Sequence, residues 1–225
     1  MRIKKKIVSA IRSLGVVKKP TKERLKKTGS TKLSTSNLQT MLANTYKPNA
    51  EGDVVGGYSL DSSLSNNRVK VYHDPTTKHT VVGHRGSASK QDWVENALYA
   101  VGIKGGKNFK HSREVQKKAQ AKYGTDNLTT IGHSKGAMHA QEFGQSGDII
   151  TLNKPVNVKD ALRYKVPSYQ KDYRGEGDVV SALRPVQRGA KAETLKKPSH
   201  KKGSWNPIKN ILDEHSTETL NRVRQ

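Results

Sequence analysis

The chain of 225 residues contains no cysteine, so disulfides, cysteine-ligated zinc and thiol catalysis are excluded. Because a cysteine-free chain suits oxidising and reducing compartments alike, this absence indicates no compartment. Hydrophobic residues make up only 32% of the chain and the mean hydropathy is −0.82, so we expect part of it not to pack into a core. No apolar run approaches the ~18 residues of a membrane span. The length suits one domain with a tail.

Acidic residues are also scarce, since 19 Asp and Glu face 42 Lys and Arg, which gives a net charge of +23. Such an excess favours polyanionic partners, either nucleic acid or the surface of an anionic membrane. Aromatic residues are few (5%), and no zinc-finger, helix-turn-helix or RNP pattern occurs. Sequence-specific recognition of nucleic acid is therefore not expected, which leaves non-specific binding.

Residues 1–36 form a basic N-terminal tail, followed by a domain over residues 37–225. Four apolar residues of the tail share one face of a predicted helix whose other face is basic, the pattern of a helix that lies on a membrane surface. A solvated tail and a nucleic-acid-binding arm are the alternatives. Arg12 interrupts the apolar run and no small-residue cleavage site follows, so no secretory signal is expected. The sequence leaves the localisation open, with peripheral membrane association and a virion as the alternatives. The four apolar residues are Ile3, Ile7, Ile11 and Leu14.

Strand-like and helix-like segments alternate along the domain, which predicts an α/β fold with a mostly parallel central sheet flanked by helices. Segment 52–67 is rich in Gly, Ser and Asn and is predicted to be a loop. Ser112 and Gly124 have the residue types that cap helices. The predicted strands are 69–72, 80–83, 128–131, 149–152 and 170–173; the predicted helices are 38–43, 91–101, 112–123 and 135–143.

The turn between the strand at 128–131 and the next helix has the pattern Gly-x-Ser-x-Gly, with Gly132, Ser134 and Gly136. A serine in a sharp strand-to-helix turn stands clear of the backbone, and glycines avoid the clashes that a Cβ would create there. The N-terminus of the following helix favours an oxyanion. The pattern therefore predicts a nucleophilic serine, and an ordinary strand–turn–helix connection is the alternative.

Five motifs in order along the chain resemble those of class 3 lipases, the fungal triacylglycerol lipase type of α/β-hydrolase. They comprise a strand with an Arg-Gly-Ser turn and an Asp-Trp-x-x-Asn helix, the serine turn, a later strand, an acid motif and a final His-Ser pair. The match runs from about residue 69 to residue 220. The motifs lie at 81–96, 132–136, 150–155, 177–183 and 213–216.

The resemblance implies a serine carboxylic-ester hydrolase, a lipase or phospholipase, that acts on lipid through an acyl-enzyme and needs no cofactor or metal. Ser134 would attack, His215 would accept its proton, and Asp178 would hold the imidazole. The oxyanion would be bound by backbone N–H groups of Lys135 and Ser87, with the Ser87 hydroxyl as a further donor. By the same resemblance, the helix over 89–101 would be a mobile lid.

Departures from the family pattern leave several points open. His200 is an alternative to His215 as the base. Lys135 replaces the usual leucine, which would favour a phosphate-bearing substrate or merely add to the basic surface, and Ser181 replaces a proline. The alternative function is a catalytically inactive lipase-like protein that binds nucleic acid or a viral assembly through its basic surface.

Other polar residues near these motifs are expected to do no chemistry. His133, next to the predicted nucleophile, is expected to support the turn rather than to react. Asp172 and Glu176 are expected to be solvated loop charges. The histidines show no metal-ligand spacing together with carboxylates, so no metal site is predicted.

Overall fold

The computed structural model describes residues 33–48, 53–87, 107–144, 147–156, 165–178, 181, 192–197, 213 and 215–223. Within these ranges the helices are α1 (Thr35–Asn44), α2 (Lys107–Tyr123) and α3 (Lys135–Phe143), and a 3₁₀ helix spans Thr217–Arg222. The strands are β1 (Val54–Val55), β2 (Tyr58–Leu60), β3 (Val69–Asp74), β4 (His79–His84), β5 (Leu128–His133), β6 (Asp148–Leu152), β7 (Gln170–Gly175) and β8 (Ala192–Leu195). Residues 1–32 of the predicted tail and the predicted lid helix lie outside the described residues. Helix α1 begins at Thr35, two residues before the predicted start of the domain. No described helix is long and apolar enough to cross a membrane.

The eight strands form one mixed sheet in sequential order from β1 to β8. Strands β1 to β4 pair antiparallel, whereas β4 to β8 pair parallel. The carboxyl ends of the parallel strands therefore meet at one edge of the sheet, which is where ligand sites of open α/β sheets form. The predicted α/β class with a mostly parallel sheet and flanking helices is confirmed.

The core lies on both faces of the sheet because side chains of successive strand residues point to opposite faces. On one face, α1 packs Leu38, Met41 and Leu42 with Tyr72, Val81, Ile131 and the 3₁₀-helix residue Leu220. On the other, Val115 and Ala119 of α2 pack against Val69, Val71 and Val82. Since both faces are covered, the central strands β4 and β5 are buried along their whole length.

The segment predicted as a loop at 52–67 instead contains the β1–β2 hairpin. Gly56 and Gly57 form its two-residue turn with φ of 55° and 88°, the left-handed pair that such a hairpin requires. Helix α2 begins before the predicted cap, so Ser112 lies inside the helix and is buried. The extra turn brings Phe109 into edge contact with Phe143. Gly124 follows the helix with φ of 79°, as expected for its C-terminal cap.

Asp172 is not the solvated loop charge that the sequence suggests. It lies on β7 with 1% of its surface exposed and accepts hydrogen bonds from Thr151 and Gln170. The Lys154 ammonium lies 3.9 Å from the Asp172 carboxylate and is itself buried. A buried carboxylate is stable when it is paired and hydrogen-bonded, and these contacts supply both conditions. Glu176 is exposed, as predicted.

We expect acid to destabilise the fold through His84, which is buried at the end of β4. Its Nε2–H donates to Gln116 Oε1 over 2.9 Å, and its Nδ1 has no hydrogen-bond partner among the described residues. Burial lowers the His84 pKa to about 4. Since an unfolded histidine titrates near pH 6.5, the unfolded chain binds more protons below that pH. The free energy of unfolding should therefore fall by about 3 kcal/mol between pH 6.5 and 4 on account of His84 alone.

Urea unfolding at several pH values measures this effect. His84→Phe removes the titrating group, so its free energy of unfolding should fall less steeply over the same interval, whatever its value at pH 7. Equal slopes for the wild-type and variant proteins would contradict the assignment.

Candidate active site

The serine predicted from the Gly-x-Ser-x-Gly pattern lies between β5 and α3 at the carboxyl edge of the sheet. Ser134 has φ 56° and ψ −129°, a left-handed value that is uncommon for a residue with a Cβ. Its N–H donates to the Leu152 carbonyl at the end of β6 over 3.0 Å, and its carbonyl accepts from the Ala137 N–H. These bonds hold the strained turn, as expected where strain is kept at a site.

The two glycines of the turn permit close backbone approaches. A Cβ on Gly132 would lie 2.2 Å from the Gly136 carbonyl oxygen, and one on Gly136 would lie 2.1 Å from the His84 carbonyl oxygen. Real Cβ atoms do not come this close to a carbonyl oxygen. The pattern thus places α3 directly against β4 and β5, which is the geometric role predicted for Gly132 and Gly136.

The structure brings Ser134, His215 and Asp178 together in one line of hydrogen bonds. The distance from His215 Nε2 to Ser134 Oγ is 2.8 Å, and that from His215 Nδ1 to Asp178 Oδ1 is 2.7 Å. Because an ionised carboxylate only accepts, Nδ1 of His215 carries the proton, and Nε2 of the neutral ring accepts from the Ser134 hydroxyl. The arrangement can remove the serine proton as the hydroxyl attacks. The alternative base, His200, lies outside the described residues.

Asp178 is held in a single orientation by Ser181. Asp178 is 1% exposed, and its Oδ2 accepts both the Ser181 N–H, over 3.0 Å, and the Ser181 hydroxyl. Its Oδ1 is thereby left to His215. A proline at position 181, the residue usual in the resembling family, has neither an N–H nor a hydroxyl. The departure from the family pattern therefore supplies two contacts to the acid.

The loop after β4 lies against the turn that holds Ser134. A Cβ on Gly86 would lie 2.9 Å from both the Ser134 Cβ and the His133 carbonyl oxygen. Ser87, a predicted oxyanion donor, follows directly and is half-buried. Lys135, the other predicted donor, is the first residue of α3, where backbone N–H groups have no carbonyl partner within the helix. Lys135 is 4% exposed, which contradicts one of the two alternatives for its side chain, that it merely adds to the basic surface.

Tyr46, which the sequence did not single out, joins the site through His133, which was expected to support the turn. The hydroxyl of Tyr46, just past α1, lies 2.7 Å from His133 Nδ1, and His133 Nε2 lies 2.5 Å from the His215 carbonyl oxygen. Burial, together with the neighbouring His215, lowers the His133 pKa to about 3, so His133 is neutral. His133 thus supports the site without titrating. No local pattern marks Tyr46, because it lies 87 residues away from His133 along the chain.

No group of described residues has the donors to hold a metal ion. The serine, histidine and aspartate lie in an arrangement in which a histidine can accept the proton of a nucleophilic serine. Together with the parallel strands β4 to β8 and the strained serine turn, they define a lipase-like α/β-hydrolase fold, the fold that the motifs predict.

Comparison with known proteins finds similarity among solved structures. The chain is similar to a mutant form of MDLA from Penicillium cyclopium, with a TM-score of 0.48 and 15% identity over 76% of this chain and 82% of that one. It is similar to the Rhizomucor miehei lipase in its propeptide complex, with a TM-score of 0.46 and 14% identity over 83% of this chain and 78% of that one. It is also similar to the Lip2 lipase from Yarrowia lipolytica, with a TM-score of 0.44 and 13% identity over 73% of this chain and 78% of that one. No protein-family model matches the chain, and no curated protein sequence matches it significantly. These scores and identities are too low to carry an activity from those proteins to this one.

Proposed function

We propose that the chain is a serine carboxylic-ester hydrolase with Ser134 as nucleophile, His215 as general base and Asp178 as the acid that orients it. One observation carries the proposal: a strained serine at a strand-to-helix turn is hydrogen-bonded to a histidine that is itself hydrogen-bonded to a buried carboxylate. The acid is held by two further donors, so the histidine is fixed in the tautomer that accepts a proton from serine.

The reaction follows from these positions. Ser134 Oγ attacks the ester carbonyl carbon while its proton passes to His215 Nε2, and the imidazolium so formed is stabilised by Asp178. The carbonyl oxygen becomes an oxyanion that the backbone N–H groups of Lys135 and Ser87 would bind. His215 then gives the proton to the leaving alcohol, which breaks the ester bond and leaves an acyl-enzyme. Water, deprotonated by His215, releases the acid and restores Ser134.

A lipid ester at an anionic surface is the narrower form of the proposal. Its support is the charge of the whole chain, +23, which favours an anionic interface, where each basic residue near the surface adds about 1 kcal/mol of attraction. Hydrolysis of an emulsified triacylglycerol and of phosphatidylglycerol vesicles, compared with a soluble butyrate ester, tests it. Turnover of the soluble ester alone would contradict the lipid substrate and leave the esterase intact.

We expect a fluorophosphonate probe to label the protein once, at Ser134. The Ser134 oxygen would bond to phosphorus, fluoride would leave, and the serine proton would end on His215. Intact-mass spectrometry should show one adduct on the wild-type protein and none on Ser134→Ala. Ser112→Ala is the matched control, because Ser112 is a buried serine of α2 away from the triad, and it should label like the wild-type protein. Absence of labelling on folded wild-type protein would overturn the proposed function.

A further inference from the structure

A continuous chain of hydrogen bonds joins four separate segments of the protein behind the triad. The Gly86 N–H donates to the Tyr46 hydroxyl oxygen over 3.0 Å, and that hydroxyl lies 2.7 Å from His133 Nδ1. On the other side of the ring, His133 Nε2 lies 2.5 Å from the His215 carbonyl oxygen. The imidazole of His133 thus connects Tyr46 to the backbone of the base.

The direction of every bond in this chain is set by its two ends. A carbonyl oxygen only accepts, so His133 Nε2 must carry the proton that it donates to His215. The ring is buried and neutral, so it has one proton and its Nδ1 must accept. Tyr46 therefore donates its hydroxyl proton to Nδ1 and accepts from Gly86. Donors run in one direction, from Gly86 through Tyr46 and His133 to His215.

The two ends of this series of hydrogen bonds lie at the oxyanion loop and at the catalytic base, and the distance between these two parts of the site matters for catalysis. Gly86 directly precedes Ser87, the predicted oxyanion donor, and the far end is the backbone of His215. His133 in the middle directly precedes Ser134. We propose that Tyr46 and His133 are positioning residues that set the distance between the oxyanion loop and the catalytic base. This inference rests on the proposed function, because it concerns the same site.

The contacts of Tyr46 indicate that its side chain is held in place mainly by the hydrogen bonds of its hydroxyl. Tyr46 as a residue is 37% exposed, so burial alone does not hold it. A Cβ on Gly86 would lie 2.3 Å from the Tyr46 hydroxyl oxygen, so any larger residue at position 86 would push this oxygen away from its present position. Tyr46 and His133 also meet edge to face, with ring centroids 5.7 Å apart.

A second tyrosine–histidine pair in the protein, away from the triad, serves as a control. The hydroxyl of Tyr58 lies 2.7 Å from His79 Nδ1, and these rings also meet edge to face, with centroids 5.6 Å apart. His79 Nε2 bonds to the Thr129 hydroxyl rather than to any part of the triad. Tyr58→Phe thus removes the same kind of bond from the same kind of pair without touching the site.

Steady-state hydrolysis of a soluble p-nitrophenyl ester by the full chain tests the positioning role. Tyr46→Phe should lower kcat about 10- to 100-fold and change KM less than about twofold, because the reacting groups shift while the ester still binds. Tyr58→Phe should keep the wild-type kcat, although it lowers the melting temperature. A kcat for Tyr46→Phe no lower than that for Tyr58→Phe would overturn the proposal.

Substitutions of His133 separate positioning from simple packing. His133→Gln can still donate to the His215 carbonyl through its amide, whereas His133→Leu cannot, so the Gln variant should retain the higher kcat. Because the bonds act as one chain, Tyr46→Phe should lower kcat no further when it is added to His133→Leu. Fully additive losses, or equal kcat values for the Gln and Leu variants, would contradict a hydrogen-bonded chain.

Nitrogen NMR of the histidine rings gives a readout that does not depend on activity. The protein has 8 histidines, and the signals lost in His133→Gln identify His133. These should show a protonated Nε2 and a bare Nδ1 at neutral pH, and the Nδ1 signal should shift in Tyr46→Phe. A proton on Nδ1, or no shift, would overturn the chain of bonds even in an inactive protein. An inactive wild-type protein with the expected spectrum would instead contradict the proposed function and keep the chain of bonds.

Discussion

Asp178→Asn should lower kcat for ester hydrolysis by about 10⁴-fold, with little change in the fold. The N–H and hydroxyl of Ser181 both donate to Oδ2 of Asp178, so the corresponding atom in the variant must remain an oxygen. The amide nitrogen is then turned towards His215 Nδ1, to which it donates. The imidazole must move its own proton to Nε2, where it can no longer accept the proton of Ser134.

The measurement is kcat for a p-nitrophenyl ester, normalised to the fraction of folded protein. Asp61→Asn is a suitable control, since Asp61 is also a carboxylate with several donors, from Ser63, Lys122 and Tyr123, none of which touches the triad. The control should keep the wild-type kcat. A value for Asp178→Asn within about tenfold of wild type would mean that the carboxylate does not set the tautomer of His215.

The Ser181 contacts add a second test of the same geometry. If Oδ2 is oriented by Ser181, then Ser181→Pro, which removes both the N–H and the hydroxyl, frees the amide of Asp178→Asn to turn its oxygen towards His215. The double variant should then be more active than Asp178→Asn alone. Equal activities would show that Ser181 does not control the orientation of the side chain.

The part of the fold that sequence patterns predicted is the part built from local signals. The strands β3 to β7 and the helix after Ser134 follow from short apolar runs and from glycines at turns, and their positions agree with the structure to within a few residues. The turn at Ser134 was predictable for the same reason. The two glycines that permit its close approaches lie only two positions away on either side.

What could not be predicted depends on contacts between distant parts of the chain. The β1–β2 hairpin has strands of only two and three residues, which are too short to show an alternating pattern, and β2 is held by its pairing with β3. Aspartate is typical of loops, so the sequence gives no sign that Asp172 is buried. Its partner Lys154 follows the neighbouring strand β6, and the two meet only once the sheet has formed. Tyr46 reaches the site because α1 packs against the 3₁₀ helix. Neither segment has a residue pattern that predicts this contact.

We also expect Gly136→Ala to lower the free energy of unfolding by about 3 kcal/mol or more, because its Cβ would meet backbone rather than a movable side chain. The three nearest atoms are the His84 carbonyl oxygen at 2.1 Å, its carbon at 2.6 Å and the Arg85 carbonyl carbon at 2.7 Å. No rotamer change relieves such contacts, so α3 must move away from β4. Against the 5–15 kcal/mol that stabilises a typical domain, this is a large loss.

Gly124→Ala is the control that separates this steric effect from the strain of placing a residue with a Cβ in a left-handed backbone conformation. Gly124 has φ of 79° and nothing within 4 Å of an added Cβ, so its substitution should cost only about 1–2 kcal/mol of left-handed strain. Urea unfolding of the two variants gives the comparison. If Gly136→Ala were no less stable than Gly124→Ala, α3 would not press against β4 as the structure has it.

The same displacement should disable the site even in the fraction of Gly136→Ala that stays folded. Residues 84 and 85, which the new Cβ would push, lead directly into Gly86 and Ser87, the oxyanion loop. Loss of one oxyanion donor alone lowers kcat about 10²- to 10³-fold. Fluorophosphonate labelling of the folded fraction should therefore be slower than in Gly124→Ala, and equal labelling rates would show that the close approach at Gly136 serves stability only.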